Sequence, residues 1–379
     1  MQETVVNIVY MVISTFAIVA LTVPFVKSMA EHVGAMDIPN KRKVHKKPMP
    51  RLGGISIFMG FLIGYMLFGE ATSQMNSILI ASFIVVLFGI FDDIKPIRPL
   101  VKFAGQLIAA CIITFYGNIV MYDISAFGLS FSFGLFSYPI TIFFILGCIN
   151  CMNLIDGLDG LAAGISSIYF ATIGIIATIQ AHFGLDFLLT FIMLGSTLGF
   201  LAYNFNPATI FMGDSGSMFL GLIIAVIALL GFKNVTMTSL IIPLLILAIP
   251  ILDTLFAILR RLIKGEKIST PDKFHIHHQF LNRNFSQKQT VIIIYLINIL
   301  FAFVSIVYIL KDAVLGYICY TILMVLVLTF VFSTNVIFDT ASLRNKLKDK
   351  LDLKSSKLSS KTKNKSSSKK KKSNNTKSK

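Results

Sequence analysis

Apolar runs that recur at the length of a bilayer crossing constrain this chain more than any other feature. Hydropathy marks about eleven of them, each near the ~20 residues a helix needs to span the hydrocarbon core. They lie near residues 4–26, 54–69, 77–91, 101–120, 137–154, 160–181, 186–203, 217–232, 239–260, 290–310 and 315–338. A backbone in lipid must satisfy its own hydrogen bonds, and separate apolar runs of this length do so as helices. The expected fold class is therefore an all-α integral membrane protein. Only 14% of residues are charged and 55% are hydrophobic, whereas a soluble domain carries ~25% charged residues. A soluble enzyme is excluded on that ground. A disulfide scaffold is excluded too, since Cys111, Cys148, Cys151 and Cys319 lie in apolar segments without framework spacing. Cys148 and Cys151 form a C-x-x-C, read here as small buried side chains rather than redox or metal chemistry. The first run has no basic region before it and is long enough to span, so a cleavable signal peptide is not expected.

Charge sets the expected orientation. With connecting segments placed alternately on two sides, all 34 Lys and Arg fall on one side except Lys233 and Lys311. The positive-inside tendency then puts the N-terminus outside and the C-terminus in the cytoplasm. The outer segment 122–138 alternates Phe, Ser and Gly and suits a small hairpin. Residues 1–340 read as one polytopic membrane domain. Residues 341–379 read as a basic cytoplasmic tail, and 354–379 are almost wholly Lys, Ser, Asn and Thr, too polar to bury a core and so expected to be disordered. A lysine run beside a membrane span suits anionic lipids. Nucleic acid is not expected as a partner, because no aromatic interleaving or folded module accompanies the charge.

Five polar patches interrupt the apolar chain, all on the expected inner side. The run 153–161 (NLIDGLDGL) carries two carboxylates among glycines, and Asn150, Asn153, Asp156 and Asp159 recur every three residues. On a continuous helix all four would lie near one face. Ionisable residues in apolar spans are costly without a partner, an ion or a water-filled cavity. The segment 37–54 is dense in cations, Lys43 and His45 among them, and suits phosphate as well as topology. Asp92 and Asp93 adjoin at a helix end, with Lys102 following. Such a pair suits Mg²⁺ with phosphate, or a proton acceptor whose pKa its neighbour raises. Asn204 begins a polar stretch that runs through Phe211 to Asp214, and Asp214 starts a span, where helix N–H groups favour anions. It also reads as an ordinary N-cap. Last, His275, His277 and His278 crowd one loop. Without H-E-x-x-H or a nearby Cys, contact with diphosphate suits them better than zinc. Together these groups fit phosphoryl transfer from a soluble nucleotide diphosphate to a lipid, a reaction driven by positioning and charge neutralisation.

The same residues carry a resemblance. Asp92-Asp93, Asn153-x-x-Asp156-Gly157-x-Asp159-Gly160, Phe211-Met212-Gly213-Asp214-Ser215-Gly216 and His275-Ile276-His277-His278 stand in the order found in polyprenyl-phosphate N-acetylhexosamine-1-phosphate transferases. So does the early Asp37-x-Pro39-x-x-Arg42-Lys43-x-His45 loop. The likeness covers about residues 1–340. It implies transfer of an N-acetylhexosamine 1-phosphate from a UDP-sugar to undecaprenyl phosphate with release of UMP and use of Mg²⁺, for which Mn²⁺ could substitute. Within the family the chain looks most like the branch that begins wall teichoic acid linkage units with N-acetylglucosamine. The peptidoglycan branch, which transfers phospho-N-acetylmuramoyl-pentapeptide, usually has an unbroken His-His-His, interrupted here by Ile276.

Residue by residue, the resemblance implies that Asn153 and Asp214 ligate the metal. Asp92 orients or deprotonates the acceptor phosphate with Asp93 beside it, and Lys102, His277 and His278 neutralise phosphate charge. Asp156, Asp159 and Asn204 hold the sugar nucleotide, and Phe211 lies against uracil. Lys43, His45 and His275 join the substrate-binding set. One-step attack is preferred, a covalent aspartyl route being the alternative. Of a different class is a cation-coupled transporter, disfavoured because the acids cluster at one face and no inverted repeat is visible. Oligomeric state is open, a homodimer included.

Overall fold

A computed structural model describes residues 2–39, 47–126, 129–234, 251–256, 258, 261, 279–281, 283–310 and 313–333. In chain order the helices are α1 (Gln2–Val33), α2 (Gly53–Phe68), α3 (Ser73–Ile94), α4 (Pro99–Cys111), α5 (Ser137–Ile155), α6 (Leu161–Ile179), α7 (Leu185–Asn204), α8 (Gly213–Asn234), α9 (Gln287–Leu310) and α10 (Ala313–Ser333). A single π-helical stretch, Ile112–Tyr116, extends α4. A helix therefore occupies every expected span but the ninth, of which 251–256 is helical and 239–250 lies outside the described residues. Eight helices among the described residues are long and apolar enough to cross a membrane, and α2 is a shorter apolar helix. Large exposed side chains such as Phe25, Leu100, Phe143 and Leu296 coat the outside, an apolar surface that suits lipid rather than water. The chain is a multi-pass membrane protein.

Local chemistry explains the boundaries. α3 starts earlier than hydropathy alone indicates because the Thr72 hydroxyl accepts the Met75 N–H at 3.1 Å, an N-cap. α4 opens with Pro99, whose missing N–H would have no helical partner anyway. Among the described residues two short antiparallel ribbons connect helices. β1 (Met36–Asp37) pairs with β2 (Met49–Pro50), and β3 (Asp123–Ala126) pairs with β4 (Leu129–Ser132), the hairpin expected within 122–138.

The helix α8 is the axis of the molecule. Its apolar side chains from Met218 to Leu230 are at most 5% exposed, as expected of a helix apolar on every side. Around it stand α2, α3, α5 and α7; α1 packs on α2 and α7, α6 on α7, α9 on α6, α10 on α9, and α4 on α3. Small residues set how close these helices come. A Cβ at Gly54 of α2 would strike the backbone of Ser215 and Gly216, and one at Gly89 of α3 would strike that of Asp214 and Ser215. Both glycines thus press their helices onto the first turn of α8, where the polar residues collect.

Candidate active site

Asp93 lies four residues after Gly89 and so on the same face of α3. Its Oδ1 accepts the Asp214 N–H at 2.8 Å, and its Oδ2 accepts the Ser215 N–H at 3.1 Å and the Ser215 hydroxyl at 2.8 Å. The first N–H groups of a helix lack internal acceptors. Here a carboxylate from another helix caps them, and its charge suits the positive end of the helix dipole. Arg51 completes the cap, with Nη2 at 2.9 Å and Nε at 3.1 Å from Oδ1. The segment before α2 is sewn to the entry of α8: Phe211 N–H donates to the Pro50 carbonyl at 2.7 Å, Gly53 N–H to that of Phe211 at 3.0 Å, and Gly54 N–H to that of Met212 at 2.8 Å. Arg51 also lies 3.6 Å from Asp214 and 3.7 Å from Asp37. Burial works against its charge, but Asp93, Asp214 and Asp37 outweigh burial and raise its pKa.

Asp92, the preceding side chain on α3, turns toward α4 and Asp214. Its Oδ1 accepts the Ile97 N–H at 3.0 Å, and its Oδ2 is 3.2 Å from the Lys102 ammonium. Lys102, in the first turn of α4, also bonds the Asp214 carboxylate directly. One cation thus sits between the carboxylates of α3 and α8. Arg51 stands against Asp214 as a second cation.

The organising run 153–161 is not one helix. α5 ends at Ile155, and Asp156 leaves helical geometry with φ −73° and ψ 56°. Gly160 then takes a left-handed φ of 78° to start α6, a conformation that glycine adopts without steric cost. Only Asn150 and Asn153 therefore share a helix face; Asp156 and Asp159 belong to the turn. Asn153 donates its amide N–H to the Ser217 hydroxyl at 2.9 Å, and Ser217 donates to the Gly213 carbonyl at 3.0 Å. Ser217 lies three residues beyond Asp214, which brings Asn153 to the Asp214 side of α8. Asp156 is half-buried. Burial first, then repulsion from Asp214 and Asp93, pushes its carboxyl up to about 8, with Arg51 opposing.

Asp159 and Asn204 tie this turn to the loop before α8. Asp159 Oδ2 accepts from Asn206 Nδ2 at 2.9 Å and from the Ala208 N–H at 3.1 Å. Asn204 is 3% exposed, accepts the Gly160 N–H at 3.0 Å and donates to the Ile210 carbonyl at 2.9 Å. Tyr295 of α9 donates to the Gly160 carbonyl at 2.5 Å. Phe211 is half-buried at the mouth of α8. Two residues expected to act on substrate, Asp93 and Asn204, are thus buried braces with both ends of their polar groups engaged. Lys43, His45, His275, His277 and His278 lie outside the described residues. Sequence reasoning passed over Arg51, Ser215 and Ser217; the signal for Arg51 was one cation at the loop–span border, just ahead of Gly53-Gly54.

These groups suit a hard divalent cation. The hydrogen bond of Asn153 uses its amide nitrogen and leaves its carbonyl oxygen pointing to no partner among the described residues, while Asp214 supplies carboxylate oxygens. Among the described residues no three His, Cys, Asp or Glu side chains form a complete cage. A Mg²⁺ ion here would draw on one carboxylate, one amide carbonyl and phosphate oxygens, a common arrangement for that ion.

Comparison with known proteins shows the family of the chain. Residues 75–232, which hold most of the site, match the model of glycosyl transferase family 4. The chain is 41% identical over 310 residues to a Bacillus subtilis protein named probable undecaprenyl-phosphate N-acetylglucosaminyl 1-phosphate transferase, covering 81% of this chain and 86% of that one. It is 32% identical over 303 residues to the decaprenyl-phosphate N-acetylglucosaminephosphotransferase of Mycobacterium tuberculosis, with 72% and 75% covered. With the Escherichia coli undecaprenyl-phosphate alpha-N-acetylglucosaminyl 1-phosphate transferase it shares 28% identity over 304 residues, with 78% and 82% covered. With such likeness along most of its length, the chain belongs to glycosyl transferase family 4.

Proposed function

We propose that this protein transfers N-acetylglucosamine 1-phosphate from UDP-N-acetylglucosamine to undecaprenyl phosphate. The observation that carries the reading is the meeting of Asp92, Lys102, Asp214 and Asn153 at the start of α8, in a chain whose relatives bear that activity in their names. An oxygen of the lipid phosphate attacks the phosphorus that carries the sugar. The bond from that phosphorus to the bridging oxygen breaks, and UMP leaves with the electron pair. The product is a lipid-linked diphosphate sugar.

Asn153 and Asp214 would hold Mg²⁺, or Mn²⁺ in its place, which supplies charge neutralisation on the diphosphate. Lys102, now bonded to two carboxylates, is placed to exchange them for phosphate oxygens and so carries charge that builds on the leaving group. Asp92 orients the acceptor phosphate. A phosphate monoester has a second pKa near ~6, so at neutral pH Asp92 is needed chiefly to orient it. Asp156 and Asp159 line the sugar-nucleotide side and Phe211 offers a face to uracil, while Asp93 and Asn204 keep the frame. Lys43, His45, His275, His277 and His278 add phosphate contacts. A direct one-step displacement needs no further nucleophile. The donor is a cytoplasmic nucleotide, so the site faces the cytoplasm, with the N-terminus outside, and the lysine tail rests on anionic lipid. The polymer served is wall teichoic acid, for which the lipid-linked N-acetylglucosamine is the first intermediate.

The test is a product assay across several UDP-sugars, with the purified chain, undecaprenyl phosphate and Mg²⁺. Lipid-linked N-acetylglucosamine and UMP are expected in equal amounts. Lipid product from UDP-N-acetylmuramoyl-pentapeptide alone, or none from any donor, would overturn the reading.

A further inference from the structure

A second polar layer, which the reaction scheme leaves unused, lies one helical turn deeper than the site. Gln106 of α4 is 2% exposed. Its side-chain carbonyl accepts the Asn150 Nδ2–H of α5 at 2.8 Å, and its Nε2–H points to the Met218 sulfur of α8 at 3.2 Å. Asn150 also donates to its own helix at the Leu146 carbonyl, 2.8 Å away. Each member lies three or four residues from a site residue on the same helix: Gln106 follows Lys102, Asn150 precedes Asn153, and Met218 follows Asp214. That spacing places each pair on one helix face. The layer therefore joins the three helices that bring the cation, the amide and the carboxylate together.

Packing alone does not explain the layer. A buried primary amide is costly unless paired, and hydrogen bonds between membrane helices contribute modestly. What a hydrogen bond has, and apolar contact lacks, is direction. α4 leans on α3 and, to a lesser extent, on α5 and leaves Leu100, Val101, Phe103, Leu107 and Ile108 exposed, so apolar contact holds its rotation about its own axis from its inner side only. We propose that Gln106 and Asn150 are positioning residues: their hydrogen bond fixes the rotation of α4 against α5, and so aims Lys102 and Asn153 at Asp214. This rests on the transferase reading for its kinetic consequence, but not for its geometric one.

The experiment uses the full chain in lipid nanodiscs, with Gln106→Met, Asn150→Leu, and the exchanged pair Gln106→Asn with Asn150→Gln. Methionine keeps the length of Gln106 and removes the bond; the exchange restores a bond of the same combined length. The first readout is the rate at which an amine-reactive ester acylates Lys102, followed by peptide mass spectrometry, which needs no turnover. Both single variants should acylate Lys102 roughly threefold faster, because a misaimed ammonium leaves its carboxylates. The second readout is kinetic: kcat for UMP release should fall about tenfold or more, toward the ~10²-fold that a misplacement of about 1 Å costs. Donor KM should stay within about twofold, the sign of an interaction used in the transition state. The exchanged pair should recover most of both losses. Unchanged Lys102 protection in folded single variants, or an exchanged pair as impaired as they are, would overturn the proposal. If Asn150→Leu fails to fold, Gln106→Met and the exchange still decide. If the unaltered protein releases no UMP, the transferase reading fails, and the acylation rates alone settle the positioning claim.

Discussion

A carboxylate that accepts two helix N–H groups, a hydroxyl and a guanidinium has little acceptor capacity left for chemistry, and Asp93 is so placed. Asp92 differs: its carboxylate accepts the Ile97 N–H, meets the Lys102 ammonium and lies against the Asp214 side chain, and a substrate phosphate competes for that cation. The two acids should therefore separate on substitution. Asp93→Asn should cost about 3 kcal/mol, the scale for breaking a buried ion pair, read as a lower unfolding temperature. Asp92→Asn should leave that temperature nearly unchanged and slow turnover about a hundredfold, the scale of losing the group that positions a reactant. The opposite pattern would exchange their roles. Asp156 gives a pH test. Its carboxyl in the folded protein is raised to about 8, above the ~3.9 of an unfolded chain, so the folded state binds the extra proton between those values. Its burial thus costs stability increasingly as pH rises through that window. Asp156→Asn should raise the unfolding temperature of the ligand-free protein at pH 8–9, and the advantage should vanish near pH 4. An advantage independent of pH would contradict the assignment. The sequence made the adjacency of Asp92 and Asp93 plain, but not their divergence, which depends on where α8 begins beside α3. Arg51 was hidden for the same reason, two of its three carboxylate partners, Asp93 and Asp214, being 42 and 163 positions away in the chain.

At the scale of elements, α8 is held by neighbours that come close enough to touch its backbone. Gly89 and Gly54 make that approach possible, and a side chain there meets backbone, which has little room to yield. Gly89→Val should abolish the yield of folded protein, measured by size-exclusion of the detergent-solubilised chain. Gly147→Ala is the control, since nothing lies within 4 Å of a Cβ there, and it should behave as the parent. Equal yields from both would show that helix approach at α8 is not critical. Hydropathy placed these helices well, because a span must be apolar for its whole length. It could not show that the 153–161 run breaks after Ile155, since three-residue spacing suits a helix as well as a turn. Gly157 and Gly160 were the visible warning, and the bonds of Gly160 to Asn204 and Tyr295, which hold the turn, come from distant helices.

On the scale of the whole molecule, a lipid-coated bundle gathers its charged chemistry at one end of its central helix. Apolar length and the scarcity of charge made the membrane class legible, and the ordered motifs made the family legible. What the sequence could not supply was convergence: that Lys102 of α4 would stand between acids of α3 and α8, with Asn153 of α5 alongside. Residues 354–379 lie outside the described residues, but every polar motif of the site precedes them in the chain, so deleting residues 354–379 should leave kcat unchanged and at most loosen membrane-surface association; a dead truncated enzyme would contradict this. The most direct test of the central claim, that oxygen donors at the start of α8 hold a metal-bound diphosphate beside a lipid phosphate, is UMP release by the parent and by Asp214→Ala at matched folding. The parent should release UMP only with UDP-N-acetylglucosamine, undecaprenyl phosphate and Mg²⁺ all present, and Asp214→Ala should release none at an unchanged unfolding temperature. Release by Asp214→Ala near the parental rate, or undiminished release by the parent after chelation of divalent cations, would contradict it.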